Sequence, residues 1–226
     1  AIAAGATSGT VTIAAPGDDP YIDAGSVSRT ISTATGGGFE SLAINPGAAN
    51  TSVTDDSDAT SLTLTATPSV VEGGNIVYTA TLSNAAQTAV TVTLSTGQTI
   101  AIAAGATTGT VTIAAPSDDV YIDASTVSRT ISTATGGNFE LLTINPATAS
   151  TTVSDDSDAT TVTLTATPSV VEGGTITYTA TLTSAAQTAV TVTLSTGQTI
   201  NIAAGATSGT VDIAALTDDV YVDAST

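Results

Sequence analysis

The chain has 226 residues with 20 acidic and 2 basic side chains, a formal net charge of −18, and no Cys, His, Met or Trp. Without Cys, a disulfide framework and a thiolate zinc site are excluded, and the acidic balance argues against nucleic acid and anionic membrane surfaces as partners. Hydrophobic residues make up 41 % of the chain, which is enough to bury a core, but no apolar run approaches the roughly 18 residues that span a membrane. We therefore expect a folded chain with no nucleic-acid partner and no membrane insertion in this segment.

The sequence repeats itself every hundred residues. AIAAGATSGTVTIAAP at position 1 returns as AIAAGATTGTVTIAAP at position 101 and as NIAAGATSGTVDIAAL at position 201, and DDSDAT occurs at 55–60 and 155–160. A period of this size is a domain rather than a solenoid coil. With boundaries at DDSDAT, we expect 59–158 to be a complete repeat, 1–58 the C-terminal part of another and 159–226 the N-terminal part of a third. The chain is then an excerpt from a longer array.

Alternation of apolar residues with Thr predicts the strands of the complete repeat. In chain order they are 62–66, 76–82, 90–95, 99–103, 110–114, 127–133 and a final run, 141–153, broken at Asn-Pro-Ala. Turns that contain Gly, Asn or Asp separate them, the segment 68–74 among these turns, and no stretch shows a helical period. Seven short strands in about one hundred residues predict an all-β fold of tandem immunoglobulin-like antiparallel β-sandwich domains, arranged head to tail.

The acidic residues of the complete repeat are predicted to gather at one pole. If each turn reverses the chain, the loops that follow alternate strands share a pole. One pole then collects three acidic groups that are distant in sequence, namely Glu72, then Asp118, Asp119 and Asp123, then Asp155, Asp156 and Asp158. The opposite pole is Gly-rich and nearly neutral, with Glu140 as its acid. An odd strand count puts the termini at opposite ends, so each acidic pole meets the neutral pole of the next repeat.

Carboxylates crowded at such a joint require a cation. Two unit charges 4 Å apart interact by roughly 1 kcal/mol in water and about 4 kcal/mol at an effective dielectric constant of 20, and one Arg per repeat cannot neutralise them. Ca²⁺ prefers oxygen ligands, and the lack of His and Cys disfavours zinc and copper, so we expect Ca²⁺ at the joints. A merely solvated acidic linker would account for the total charge, but not for the clustering. The candidate calcium ligands are Asp18, Asp19, Asp23, Glu40, Asp55, Asp56, Asp58, Glu72, Asp118, Asp119, Asp123, Glu140, Asp155, Asp156, Asp158, Glu172, Asp218, Asp219 and Asp223.

The stretch ATPSVVEGGTITYTATLTSAAQTAVTVTLSTGQTI, which begins at position 166, and the later DDVYVDAST resemble the extender repeats of giant bacterial RTX adhesins of the biofilm and ice-binding type. VVEGG followed by Asp-Asp-x-Tyr-[Ile/Val]-Asp is also similar to Calx-β and cadherin-like modules. The resemblance covers the whole chain. It implies Ca²⁺-rigidified domains at the bacterial cell surface that hold a ligand-binding tip away from the cell. The Gly-Gly-x-Gly-x-Asp nonapeptide of such adhesins is absent, since TGGGFES at 35–41 lacks the Asp.

Two functions remain open at this point. The first is a structural extender without catalytic duty, which near-identical copies favour, and the second is a binding module with a sugar, ice or protein ligand on the sandwich face. Regular Thr fits the second, but it also fits the solvent face of a half-buried strand. No enzyme is expected, because there is no His or Cys and aromatic residues make up only 3 % of the chain. Tyr78, Tyr121 and Phe139 are expected to be core or corner residues.

The neighbouring repeats of the same chain are the first expected partners. The two end repeats lack strands that would close a sandwich, so we also expect them to be completed by head-to-tail contacts with neighbouring chains, or to be poorly ordered.

Overall fold

A computed structural model describes residues 1–216 of the chain, and this part consists of strands and loops without a helix. The candidate ligands Asp218, Asp219 and Asp223 lie outside the described residues. The strands are β1 (Gly25–Arg29), β2 (Ala49–Val53), β3 (Ala59–Ala66), β4 (Ser69–Val71), β5 (Asn75–Leu82), β6 (Val90–Leu94), β7 (Thr99–Ile102), β8 (Thr108–Ala114), β9 (Ser125–Arg129), β10 (Ile131–Gly136), β11 (Leu141–Ile144), β12 (Ala149–Ser154), β13 (Val162–Ala166), β14 (Thr175–Leu182), β15 (Val190–Thr193), β16 (Thr199–Ile202) and β17 (Ser208–Ala214).

The complete repeat forms three small sheets with the orders β11-β3-β5-β8, β10-β6-β7 and β4-β12-β9. The pairs of the first two sheets run antiparallel, except that β11 lies parallel to β3. Inward residues alternate with outward Thr along β3, β5 and β6, which puts one face of each strand in the core. The fully buried side chains of this core include Leu62, Ile76, Tyr78, Val90, Val92, Ile100 and Ile102. The expected all-β sandwich fold is confirmed.

Two details of the predicted strand list are wrong. The run 127–133 is not one strand, because β9 and β10 meet around Thr130 and belong to different sheets. The loop 68–74 contains β4, which is held by a hydrogen bond from the Thr152 N–H to the Pro68 carbonyl (3.0 Å). The strand-like pattern at 127–133 does not reveal a change of sheet. β4 is a three-residue strand next to a proline and is too short to show a period.

The end repeats are less complete. In the first, β1 pairs with β2, and apolar side chains such as Val11 and Ile31 are 85 % and 59 % exposed. In the third, the sheets β13-β14-β17 and β15-β16 enclose a small core around Ile200 and Ile202. Completion of these repeats by neighbouring chains stays a prediction.

The chain divides into two compact units. One contains Ala1–Val70, Asn75–Ala115 and Thr126–Thr152, and the other contains Val71–Gly74, Pro116–Ser125 and the chain from Val153 onward. The acidic loops of the complete repeat thus belong to the same unit as the strands of the third repeat.

The Tyr78 hydroxyl gives a test of this core. The side chain is fully buried, its oxygen has no hydrogen-bond partner among the described residues, and burial raises the pKa of Tyr78 although the Arg129 charge opposes the shift. Because an unpaired buried hydroxyl is unfavourable, we expect Tyr78→Phe to leave the urea unfolding midpoint unchanged or to raise it. Ile100→Ala, made for comparison, should cost about 2–5 kcal/mol. A loss above about 1 kcal/mol in Tyr78→Phe would mean that the hydroxyl has a partner.

Candidate metal centre

Nine carboxylates form three clusters in the described part of the chain. Within each cluster, one oxygen from each of three residues lies within 4.8 Å of the others. The clusters are the Glu72 cluster (Glu72, Asp123 and Asp155), the Asp118 cluster (Asp118, Asp156 and Asp158) and the Asp18 cluster (Asp18, Asp56 and Asp58). The first two unite the three acidic segments that strand parity places at one pole, and the Asp18 cluster repeats the Asp118 cluster one hundred positions earlier.

Backbone hydrogen bonds hold the three segments together. The Glu72 N–H donates to the Ser154 carbonyl (3.1 Å), and the Gly73 N–H donates to the Pro116 carbonyl (2.7 Å). Gly73 has a φ of +66°, and a Cβ there would lie 3.4 Å from the Asp118 Cβ. The turn between β4 and β5 therefore needs a glycine next to Glu72, both for its left-handed backbone and for the close approach of the acidic loop.

Glu72 is the most enclosed member of the clusters. Its side chain is 6 % exposed, and its Oε2 is buried without a hydrogen-bond partner among the described residues. A hydrogen bond with Asp123, burial and the charges of Asp123, Asp155 and Asp119 raise the pKa of Glu72 to about 7. A buried acceptor surrounded by acids favours whatever brings positive charge, either a proton or a cation.

The Asp118 and Asp18 clusters are more exposed. Desolvation, followed by a hydrogen bond and the charge of Asp156, raises the pKa of Asp118. For Asp18, the hydrogen bond with Asp56 is the largest cause, followed by the charges of Asp56 and Asp58. Neither cluster has a basic side chain among its members.

Asp19 and Asp119 shape the acidic loops. The Asp19 Oδ1 accepts a hydrogen bond from the Tyr21 N–H (3.0 Å), and the Asp119 Oδ1 accepts one from the Tyr121 N–H (2.8 Å). Both are side-chain turns of the Asx type, in which a carboxylate folds the chain two residues on. These two predicted ligands lie next to the clusters but are not among their members.

Asp23 and Asp55 also lie outside the Asp18 cluster. The Asp23 N–H donates to the Asp55 Oδ2 (3.3 Å). Desolvation is the main reason that the pKa of Asp23 is raised, and the charges of Asp19 and Asp55 add to it. The two residues tie the loop after Asp19 to the linker that carries Asp56 and Asp58.

Glu140 reaches the linker from the pole predicted to be neutral. Its Oε2 accepts a hydrogen bond from the Asp58 N–H (2.5 Å), while its Oε1 is buried without a partner among the described residues. The Asp58 N–H favours the charged form of Glu140. Desolvation and the charges of Asp55, Asp56 and Asp58 outweigh this effect and raise the pKa of Glu140. The contact with the linker amide is a role that the sequence did not indicate.

The remaining predicted ligands within residues 1–216, Glu40 and Glu172, are exposed and belong to none of the three clusters. Carboxylate oxygens without imidazole or thiolate suit a hard cation such as Ca²⁺ or Mg²⁺. The residues present fit such an ion best at Glu72, where a buried oxygen lacks a donor.

Three segments of the chain, residues 1–56, 58–156 and 158–226, match the family model described as the LapA domain. The chain belongs to the LapA domain family. LapA is a large adhesin associated with biofilms, so this membership gives the chain an adhesin-related role and indicates the cell surface. No curated protein matches the chain. The described residues of this LapA domain protein include no helix long and apolar enough to cross a membrane.

The raised pKa of Glu72 predicts an unusual pH dependence. Its pKa is about 7 in the fold against an ordinary value of 4.5, so between these values the folded chain binds more protons than the unfolded chain. The free energy of unfolding therefore falls as pH rises through this window. We expect the urea midpoint, measured in chelator, to fall between pH 5 and pH 7.5.

Glu72→Gln is the matched variant for this measurement, because it removes the titrating group and keeps the side-chain shape. Its midpoint should change less over the same pH range. A wild-type midpoint that rises with pH would contradict the raised pKa.

Proposed function

We propose that this chain is a non-catalytic extender region of an RTX-type bacterial surface adhesin. In this proposal, tandem immunoglobulin-like repeats, with boundaries at 1–58, 59–158 and 159–226, hold a ligand-binding tip away from the cell. Ca²⁺ stiffens the joints between them. The observation that carries the proposal is the convergence of three acidic segments on Glu72, whose buried Oε2 has no hydrogen-bond partner among the described residues.

Ca²⁺ would be held by the Glu72 and Asp118 clusters at one joint and by the Asp18 cluster at the other. Each cluster combines the Asp-rich linker with the loop that follows β8 or its first-repeat counterpart. A bound cation supplies charge that the two Arg residues of the chain cannot. The carboxylates would connect the linker to the loop, and this connection would restrict bending at the joint.

Ca²⁺ fits better than Mg²⁺ for two reasons. Ca²⁺ accepts 6–8 oxygen ligands in flexible geometry, whereas Mg²⁺ demands a nearly ideal octahedron and dehydrates reluctantly. The clusters are built from carboxylates on loops and on the linker. Extracellular calcium modules bind at about 10⁻⁴–10⁻³ M, a range that suits an adhesin.

A binding module on the sandwich face is the second candidate. Thr63 and Thr65 of β3 lie opposite Thr81 and Thr79 of β5, which gives regular rows of Thr. The Thr63 and Thr65 hydroxyls, however, donate to the carbonyls of Thr81 (3.3 Å) and Thr79 (3.5 Å). Hydroxyls used within the sheet are less available to a ligand, so the extender is favoured.

The proposal is tested by calcium titration of the full chain. We expect millimolar Ca²⁺ to raise the melting temperature relative to chelator, since binding at 100 times Kd adds about 2.7 kcal/mol per site. Small-angle scattering should show a longer maximum dimension in Ca²⁺. Mg²⁺ at the same concentration should give a smaller effect on both.

Two variants sharpen the titration. Asp156→Asn removes a carboxylate from the Asp118 cluster and should weaken calcium binding at that cluster at least tenfold, about 1.4 kcal/mol. Asp212→Asn is the control, because Asp212 is an acid of strand β17 that lies outside the three clusters. Equal calcium responses in the two variants would rule out the Asp118 cluster as a calcium site, and no response in the wild type would rule out calcium binding at both joints.

A further inference from the structure

Tyr21 and Tyr121 make the same contact at two successive joints. The Tyr21 hydroxyl donates to the Ala85 carbonyl (2.6 Å), and the Tyr121 hydroxyl donates to the Ala185 carbonyl (2.7 Å), both across 64 residues. Each Tyr lies in the acidic loop of one repeat, and each carbonyl lies in the next repeat, in the loop between β5 and β6 for Ala85 and between β14 and β15 for Ala185. Tyr121, expected in the core or at a corner, therefore contacts the following repeat.

The loop presents the Tyr in a defined way. Asp19 and Asp119 accept hydrogen bonds from the N–H groups of Tyr21 and Tyr121, so each carboxylate fixes the backbone from which the ring projects. The arrangement is the same in both copies.

At the first joint the loop also adds backbone pairing. The Ile22 N–H donates to the Asn138 carbonyl and the Glu140 N–H donates to the Pro20 carbonyl, both at 3.2 Å. Tyr21 and Phe139 form an antiparallel bridge between these bonds. A short segment of one repeat thus pairs with the connection between β10 and β11 of the next through an isolated antiparallel bridge.

The Tyr21 ring covers an aromatic side chain. It stacks on Phe139 with ring centroids 5.9 Å apart and an angle of 25° between the planes. Phe139 is 7 % exposed, so Tyr21 packs on an enclosed aromatic side chain.

The accepting loop is also held by backbone hydrogen bonds of its own repeat. The Ala86 N–H donates to the Ala106 carbonyl (3.0 Å), and the Gly105 N–H donates back to the Ala86 carbonyl (2.7 Å). Ala186 makes the same two bonds in the third repeat, at 3.0 and 2.7 Å. The turn therefore offers a fixed carbonyl at position 85 or 185, and a preformed acceptor loses little entropy on docking.

We propose that the Asp-x-Tyr loop is a docking element that recognises the Gly-rich pole of the following repeat and orders the joint through direct protein contacts. The partner it fits is the loop between β5 and β6, or between β14 and β15, whose carbonyl at Ala85 or Ala185 accepts the Tyr hydroxyl. At the first joint, the segment between β10 and β11 adds Phe139 and two backbone hydrogen bonds. The inference deepens the proposed extender function. It rests on that function only for the reason why an ordered joint is useful. The docking contacts themselves involve no cation.

The chain has no Cys, so a spin-label pair can be introduced without background. Thr110→Cys and Thr210→Cys place labels on the exposed faces of β8 and β17, one on each side of the second joint. The distance distribution between the labels, measured by pulsed electron resonance, reports how ordered the joint is. Tyr121→Phe removes only the docking hydroxyl, and we expect the undocked population to rise about fivefold, as loss of one hydrogen bond would give.

The matched control is Tyr78→Phe, the same chemical change at a buried hydroxyl away from the joint, and it should leave the distribution unchanged. At the first joint, Tyr21→Phe should speed hydrogen exchange at the Ile22 and Glu140 amides by a similar factor. Tyr21→Ala, which also removes the ring, should speed it more.

Each measurement is made in Ca²⁺ and in chelator, so that docking by Tyr and stiffening by Ca²⁺ can be distinguished. If Tyr121→Phe broadens the distance distribution and the distribution is the same in Ca²⁺ and in chelator, docking is supported and calcium stiffening is overturned. If Ca²⁺ narrows the distance distribution and Tyr121→Phe does not change it in either condition, docking is overturned and calcium stiffening is supported. If Ca²⁺ narrows the distribution and Tyr121→Phe broadens it, both docking and calcium stiffening are supported.

Discussion

Repulsion among the carboxylates gathered at the end of each repeat is the constraint on which the rest of the structure depends. The linker and the loop after β8 bring their acids within a few ångströms of one another, and the Glu72 cluster buries one oxygen that has no donor among the described residues. A hydrogen bond with Asp123, burial and nearby carboxylate charges raise the pKa of Glu72, and burial together with the hydrogen bond and charge of Asp156 raises the pKa of Asp118. The chain has only two basic side chains that could offset this charge. In the proposed extender, a bound cation supplies the missing positive charge at the joint.

The contacts that do not involve charge complement this arrangement. Tyr21 lies in the loop that also carries Asp18 and Asp23, and it contacts Ala85 and Phe139 of the next repeat. One loop thus bears both the groups that repel and the groups that attach it to the next repeat. If Ca²⁺ binds at the joint as proposed, it would reduce the repulsion and favour docking, and by linkage docking would favour Ca²⁺ binding. In the proposed extender, duplication of one unit would repeat this joint at each junction.

Much of the fold follows from local pattern, and the exceptions have physical causes. Leu alternating with Thr at 62–66 is enough to place β3, because one face of that strand must be buried. The segment 127–133 also has a strand-like pattern, and this pattern gives no sign that the chain changes sheet near Thr130. β4 is too short to carry a period. These errors leave the convergence of the acidic segments intact.

The site is predicted in part. Strand parity brings Glu72, Asp123 and Asp155 together from far apart in sequence. It does not separate the cluster members from Asp19 and Asp119, which cap the loop backbone instead. The contacts of Glu140 with the linker amide and of Tyr121 with Ala185 depend on where the next repeat lies. The residue pattern within one repeat holds no information about the position of the next repeat.

A crystal structure of the full chain grown with CaCl₂, with data collected where calcium scatters anomalously, tests the central claim most directly. A calcium-bound joint predicts an anomalous peak within coordination distance of the Glu72 Oε2, shared with Asp123 and Asp155, and a second at the Asp118 cluster. The absence of a peak at Glu72, with its carboxyl group hydrogen-bonded to Asp123 instead, would contradict it. The acids would then hold a proton rather than a metal.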